Sequence, residues 1–156
     1  MPFLLLPTAD CRLPIAHDRK DPMSTSPSHD LFEAARAAMA KAYAPYSKFP
    51  VGAAIRTSDG RVFAGANIEV ASYPEGWCAE TTALAHFIMD GGGEIAEVAV
   101  VAERMAQVTP CGGCRQRLAE FARPETRLHL CNEQGIVKTT TLGAMLPLGF
   151  QGDILK

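Results

Sequence analysis

Apolar residues in the first well-patterned stretch of the chain fall at Phe32, Ala35, Met39 and Tyr43, the three-to-four spacing that lines one face of a helix. A helix is predicted over Leu31 to Ala44, entered at Asp30 with Glu33 as a capping-box-like partner and stopped by Pro45. The period then shortens. Val51 to Thr57 reads as a strand, Ser58-Asp59-Gly60 as a hairpin turn, and Arg61 to Ala66 as the returning strand. Asn67 to Gly76 is irregular and polar. Residues 78 to 90 are helical in pattern and run into Gly91-Gly92-Gly93, which continues a helix only at a cost of about 1 kcal/mol per residue. Glu97 to Glu103 encloses an unbroken apolar run, as in a strand covered on both faces. Cys114 to Ala122 is a further helix, closed by Arg123-Pro124. Thr126 to Cys131 and Ile136 to Thr140 are strands, and a short helix covers Leu142 to Leu146. Interleaved strands and helices imply an α/β fold, a sheet covered by helices.

Composition narrows this picture. The 156 residues are 47% hydrophobic and 21% charged, which suits one domain with its own core. Residues 1–27 stand apart. Met1 to Leu6 is apolar but lacks a basic flank and is too short for a signal peptide, and Pro7, Pro14, Pro22 and Pro27 follow among charges and hydroxyls. A disordered extension is predicted there, with Met23 an alternative start and the folded domain at 28–156. Cys11, His17 and His29, in or beside it, are expected in solvent. Apolar stretches of about five residues, such as Val98 to Ala102, fall well short of the roughly 20 needed for a membrane-spanning helix. The formal charge of −2 gives no pull toward nucleic acid or an anionic membrane. No phosphate-binding loop or dinucleotide fingerprint is present.

Two short motifs carry the chemistry: Cys78-Ala79-Glu80 and Pro110-Cys111-Gly112-Gly113-Cys114. Each alone is weak. Together they match the zinc deaminase signature, a Cys or His before x-Glu followed by Pro-Cys-x-x-Cys. The residue types suit that task. Cys78, Cys111 and Cys114 offer three thiolates to a tetrahedral zinc and leave the fourth position for water. Each cluster starts a predicted helix, whose free N–H groups and partial positive charge offset an anionic metal centre. Glu80, two residues past Cys78, can reach the metal's water without ligating the metal, and so can move protons. A closed structural site would need a fourth ligand. Cys131 reads as a small core residue, and His86 lies about 12 Å along its helix from Cys78. His129 alternates with Leu128 and Leu130, so it is expected on a solvated strand face. A redox role for Cys111 and Cys114 leaves Cys78 and Glu80 unexplained.

The chain resembles the short, homotetrameric class of zinc-dependent cytidine deaminases from about Leu31 to Phe150. The likeness rests on Ala44-Pro45-Tyr46-Ser47-Lys48-Phe49, Asn67-Ile68-Glu69, Cys78-Ala79-Glu80, Thr109-Pro110-Cys111-Gly112-Gly113-Cys114-Arg115-Gln116 and Leu146-Pro147-Leu148-Gly149-Phe150. It implies a three-layer deaminase-like fold, a central mixed sheet of about five strands flanked by helices. It implies one zinc ion per subunit on Cys78, Cys111 and Cys114. The implied reaction is hydrolytic deamination of cytidine and deoxycytidine, with zinc-bound hydroxide as nucleophile and Glu80 as proton shuttle. Asn67 and Glu69 would bind the ribose hydroxyls, the Ala79 N–H and Thr109 carbonyl would read the pyrimidine edge, and Phe49 would wall the pocket. Tyr73 and Phe150 would reach a neighbouring subunit's pocket, so that a homotetramer shares its sites.

One departure stands out. The family often reads Cys-Ala-Glu-Arg, with the arginine donating to the zinc thiolates; here Thr81 occupies that position, and Arg115 is expected to take more of the role. Trp77 is expected to pack in the core. Alternative functions are a deaminase of another aminopyrimidine, such as a blasticidin-like nucleoside, and a non-catalytic zinc-binding assembly module. A polynucleotide deaminase would need a basic channel that this charge balance does not suggest. Pyrimidine salvage follows from the resemblance, and the cytoplasm is the expected compartment because thiolate ligands suit a reducing one.

Overall fold

The computed structural model describes residues 26–150 and Gly152. Most of the predicted extension, with Cys11, His17 and Met23, lies outside the described residues. Helix α1 (Pro27–Met39) starts earlier than the sequence pattern suggests, with Ser26 as N-cap. Proline at the first helical position brings its φ ready-set and gives up an N–H that has no partner there anyway. Asp30 therefore sits in the first turn rather than before it, and Glu33 pairs with Arg36 at 2.6 Å. The helix also stops at Met39, short of the predicted Ala44. Tyr43 is drawn away to a bridge with Ile68: its N–H donates to the Asn67 carbonyl at 3.0 Å, and its own carbonyl accepts from Glu69 N–H at 2.7 Å. Phe32, Ala35 and Met39 are buried as expected, whereas Tyr43 is exposed.

Five strands form one sheet: β1 (Val51–Thr57), β2 (Val62–Ala66), β3 (Ile95–Ala102), β4 (Ala122–Asn132) and β5 (Gly135–Thr141), in the order β2-β1-β3-β4-β5. β1 is antiparallel to β2 and β3, β3 is parallel to β4, and β5 is antiparallel to β4. A parallel neighbour requires a crossover. Here helix α3 (Gly112–Ala119) supplies it. That helix is displaced toward the N-terminus from its predicted span. Arg123-Pro124, read as its stop, instead lies in β4, beside the register shift between Ile95 and Glu97, where a missing N–H is tolerated.

Helices α2 (Ala79–Met89), α3 and the short α4 (Leu142–Met145) cover one face of the sheet, where Ala53, Ile55, Val98, Val100, Leu128 and Leu130 meet Leu84, Phe87, Leu118 and Leu142. Helix α1 covers the other, where Ala54, Ala99, Val101 and Cys131 meet Leu31, Phe32 and Ala35. The result is the expected three-layer arrangement around a mixed sheet. Two glycines bring the helices into direct contact with it. A Cβ on Gly52 would lie 2.0 Å from the Ala35 carbonyl oxygen, and one on Gly65 would lie 2.4 Å from Ala83 N. Gly65→Ala is therefore expected to cost about 3 kcal/mol, measured by urea unfolding, because α2 must lift from β2.

His129 corrects the sequence reading. Strand alternation places it opposite Leu128 and Leu130, but α1 covers that face, and His129 is only 2% exposed. Its Nδ1 lies 2.9 Å from Thr139 Oγ1 and its Nε2 lies 3.5 Å from Glu97 Oε2. Burial holds its pKa below the usual value, with Glu97 pulling the other way. The native state thus binds fewer protons than the unfolded chain once pH falls below about 6.5, and stability present above that pH is lost as pH falls. Below about pH 6.5 the loss is at most about 1.4 kcal/mol per pH unit, and His129→Gln should flatten it in pH-resolved thermal melts.

Candidate metal centre

Cys78 and Cys111 are the N-caps of α2 and α3, each in extended conformation, and neither side chain makes a capping hydrogen bond. Their thiols turn toward one another instead, with the sulfurs 3.9 Å apart. Cys114, in the first turn of α3 and fully buried, completes a triangle whose sulfurs all lie within 4.8 Å of one another. Tetrahedral zinc with bonds of about 2.3 Å sets its thiolates about 3.8 Å apart, so the donor set fits this metal in both spacing and softness. Among the described residues the cluster contains three donors and no fourth. Cys131 is buried on the α1 face. His86 is exposed, with Nδ1 2.9 Å from the Ala64 carbonyl, and His129 lies on the far side of the sheet.

The thiols do not share charge evenly. Cys78 is pushed down to about 6, first by its hydrogen bond with Cys114 and then by Cys111 and Arg117, against burial and the Glu80 charge. Cys114 is pushed up by the same bond with Cys78 and by burial. Glu80, 4% exposed at the second position of α2, accepts from the Cys114 thiol at 3.4 Å. Burial raises its pKa, while its own N–H, Cys114 and Arg117 oppose the rise. A carboxyl so placed stands beside the cluster without joining the three sulfurs.

Arg115 departs from expectation. Its guanidinium donates to the Pro110 carbonyl at 2.8 Å, the Met145 carbonyl at 3.0 Å and Thr109 Oγ1 at 3.4 Å. It therefore braces the Thr109–Cys111 loop against α4 and does not face the thiols. Thr81 does face them, with Oγ1 3.7 Å from Cys114 Sγ. Trp77 also differs from expectation. It is 49% exposed and lines a groove of about 420 Å³ between α2 and α3, together with Leu84, Gln116 and Phe121.

The remaining sequence-predicted residues fall into two groups. Asn67 and Glu69 stand beside the metal ligands because Ile68 between them pairs with Trp77, the residue before Cys78, by hydrogen bonds of 2.9 and 2.8 Å. Asn67 Oδ1 accepts from Val51 N–H at 2.8 Å and its Nδ2 donates to the Phe49 carbonyl at 3.1 Å. Glu69 accepts from the N–H groups of Tyr46 and Ser47 at 3.0 and 3.1 Å and from the Ser47 hydroxyl, which chiefly holds its carboxyl below the usual range. Phe49 packs against the core on the α2 side. Ala79 is the first residue of α2, where an N–H has no intrahelical acceptor, and Thr109 leads into Pro110-Cys111. Tyr73 and Phe150 form the second group. They are 62% and 59% exposed, and Phe150 is tethered through its carbonyl to Gln116 Nε2 at 2.7 Å. Sequence reasoning quoted Gln116 in the second motif without a role and missed Arg117, whose only signal was its place one turn along a short helix that begins at a metal ligand.

The sequence pattern of the family described as "Cytidine and deoxycytidylate deaminase zinc-binding region" matches residues 25–129. A curated cytidine deaminase of Sporosarcina psychrophila is 41% identical over 125 residues, which cover 80% of this chain and 92% of that protein. The chain belongs to the cytidine deaminase family. A cytidine deaminase of Halalkalibacterium halodurans is 45% identical over 72% of this chain and 85% of its own length. Among solved structures, the cytidine deaminase of Burkholderia pseudomallei is similar with a TM-score of 0.74 and 50% identity, over 78% of this chain and 98% of that one. For a cytidine deaminase, three thiols with a buried glutamate at their side form a site that could hold one zinc ion.

Proposed function

We infer that this chain is a zinc-dependent hydrolase that converts cytidine to uridine and ammonia. The observation that carries the reading is Glu80, buried and 3.4 Å from Cys114 in a three-thiol cluster. Zinc held by Cys78, Cys111 and Cys114 would supply a water acidified toward a pKa of about 7. Glu80 does the proton work: it takes one proton from the water that adds to C4 and delivers it to N3, then takes a second from the resulting C4 hydroxyl and delivers it to the amino nitrogen, which leaves as ammonia when the C4–N bond breaks and the C4 carbonyl forms. Its burial supports this role, because a carboxyl shielded from bulk water exchanges protons with its immediate neighbours.

The same reading gives roles to the rest of the site. The Ala79 N–H and the Thr109 carbonyl read the pyrimidine edge, and Phe49 walls the base. Asn67 and Glu69 take the ribose hydroxyls, with Glu69 ionised to accept from the 3′-hydroxyl. Deoxycytidine keeps that hydroxyl and is therefore a substrate as well. Tyr73 and Phe150, both exposed, cover a neighbouring subunit's pocket in a homotetramer. Among the described residues no helix is long and apolar enough to cross a membrane. The free thiols suit the reducing cytoplasm, where uridine formation serves pyrimidine salvage.

The test is ultraviolet-monitored deamination of cytidine and deoxycytidine across size-exclusion fractions of zinc-loaded protein. Loss of the cytidine absorbance is expected in an oligomer peak. Turnover in no fraction sinks the deaminase reading, and full turnover in a monomer peak sinks the shared pockets.

A further inference from the structure

Three thiolates around a divalent ion leave one net negative charge, and an ionised Glu80 adds another. The residue after Glu80 contributes little against this: the Thr81 hydroxyl lies 3.7 Å from Cys114 Sγ and carries no charge. Arg115, next to Cys114, gives its donors to the carbonyls of Pro110 and Met145 and to Thr109.

Arg117 is placed differently. It stands one turn along α3 from Gly113, and helical side chains lean back toward their own N-terminus. Its Nη1 lies 3.1 Å, and its Cζ 3.9 Å, from where a Cβ on Gly113 would stand. The guanidinium is thus laid over the bare backbone between Cys111 and Cys114, and the missing side chain at 113 makes room for it. Arg117 also lines the groove beside Trp77 and Thr81, so it stands on the same groove as position 81. Among the described residues it forms no ion pair, which leaves its charge uncommitted.

We propose that Arg117 is the positioning cation of this site, offsetting from α3 the negative charge of the metal-loaded thiolates that a neutral Thr81 leaves unbalanced. The proposal pairs three positions that read as unrelated in the sequence. A neutral residue at 81 calls for a cation elsewhere, the cation at 117 supplies it, and glycine at 113 lets it approach. It rests on the reading that Cys78, Cys111 and Cys114 hold zinc. That reading is checked separately by measuring zinc in the purified wild-type protein and its loss in Cys111→Ser.

The deciding experiment measures zinc affinity by competition with a chromophoric chelator, and the thiolate-to-metal absorption of the cobalt-loaded protein. Arg117→Met keeps the aliphatic stem and removes the charge. It is expected to weaken zinc binding by about tenfold and shift the cobalt band, with far-ultraviolet circular dichroism unchanged. Arg117→Lys should retain most of the affinity. Thr81→Arg combined with Arg117→Met should recover it, because the charge returns from the other helix. Zinc affinity in Arg117→Met within about twofold of wild type overturns the proposal. So does a double variant that binds zinc no better than Arg117→Met alone. Should Arg117→Met fold poorly, Arg117→Gln with and without Thr81→Arg makes the same comparison.

Discussion

Glu80→Gln is expected to lower kcat for cytidine by about 10²- to 10⁴-fold while zinc content and melting temperature stay near wild type. Glutamine fills the same volume at this buried position and can still accept from the Cys114 thiol, so packing and the metal site survive. What it lacks is a titratable oxygen. The whole loss should therefore fall on proton movement and appear in kcat, with little change in KM. Retention of more than about a tenth of wild-type kcat would assign the proton work to another group.

Cys114→Ala is the second large effect, and it separates metal from proton chemistry. Cys114 is the buried member of the triangle and touches Glu80, Thr81 and Cys78 at once. Its loss removes a ligand and the hydrogen bond that lowers Cys78. Zinc binding is expected to weaken by about 10²-fold or more, with turnover lost in parallel. Added zinc stabilises only a native state that binds it, so it should raise the melting temperature of wild type and leave that of Cys114→Ala unmoved. An equal zinc-dependent shift in both proteins would show that the metal sits elsewhere.

The sequence was most legible where a feature depends on near neighbours. β1 matches its predicted span because the turn at Ser58-Asp59-Gly60 bounds it locally, and that turn joins the strands it was expected to join. The three cysteines come together as read, since a ligand pair spaced by two residues sits naturally on one helix start. The misreadings share one cause, a partner distant in sequence. α1 ends early because Tyr43 pairs with Ile68. Arg123-Pro124 belong to a strand because β3 lies alongside. His129 is buried because α1 covers its face, which alternation alone does not report. Arg115 points away from the thiols because Met145, on another helix, offers it a carbonyl.

The clasp made by Asn67 bears on how this site could be altered. A side-chain amide has one carbonyl oxygen and one amine, and either end can usually turn to suit a ligand. In this chain Val51 N–H holds the oxygen and the Phe49 carbonyl holds the amine. The amide cannot flip without opening the start of β1, so its orientation is decided by the backbone before any sugar arrives. Glu69 is anchored to the same loop through Tyr46 and Ser47. On the proposed sugar-binding assignment, changing sugar preference at either position would therefore also loosen the loop that carries Phe49. Under that assignment, selection for a new sugar would have to work around these two residues, through the shape of the pocket wall.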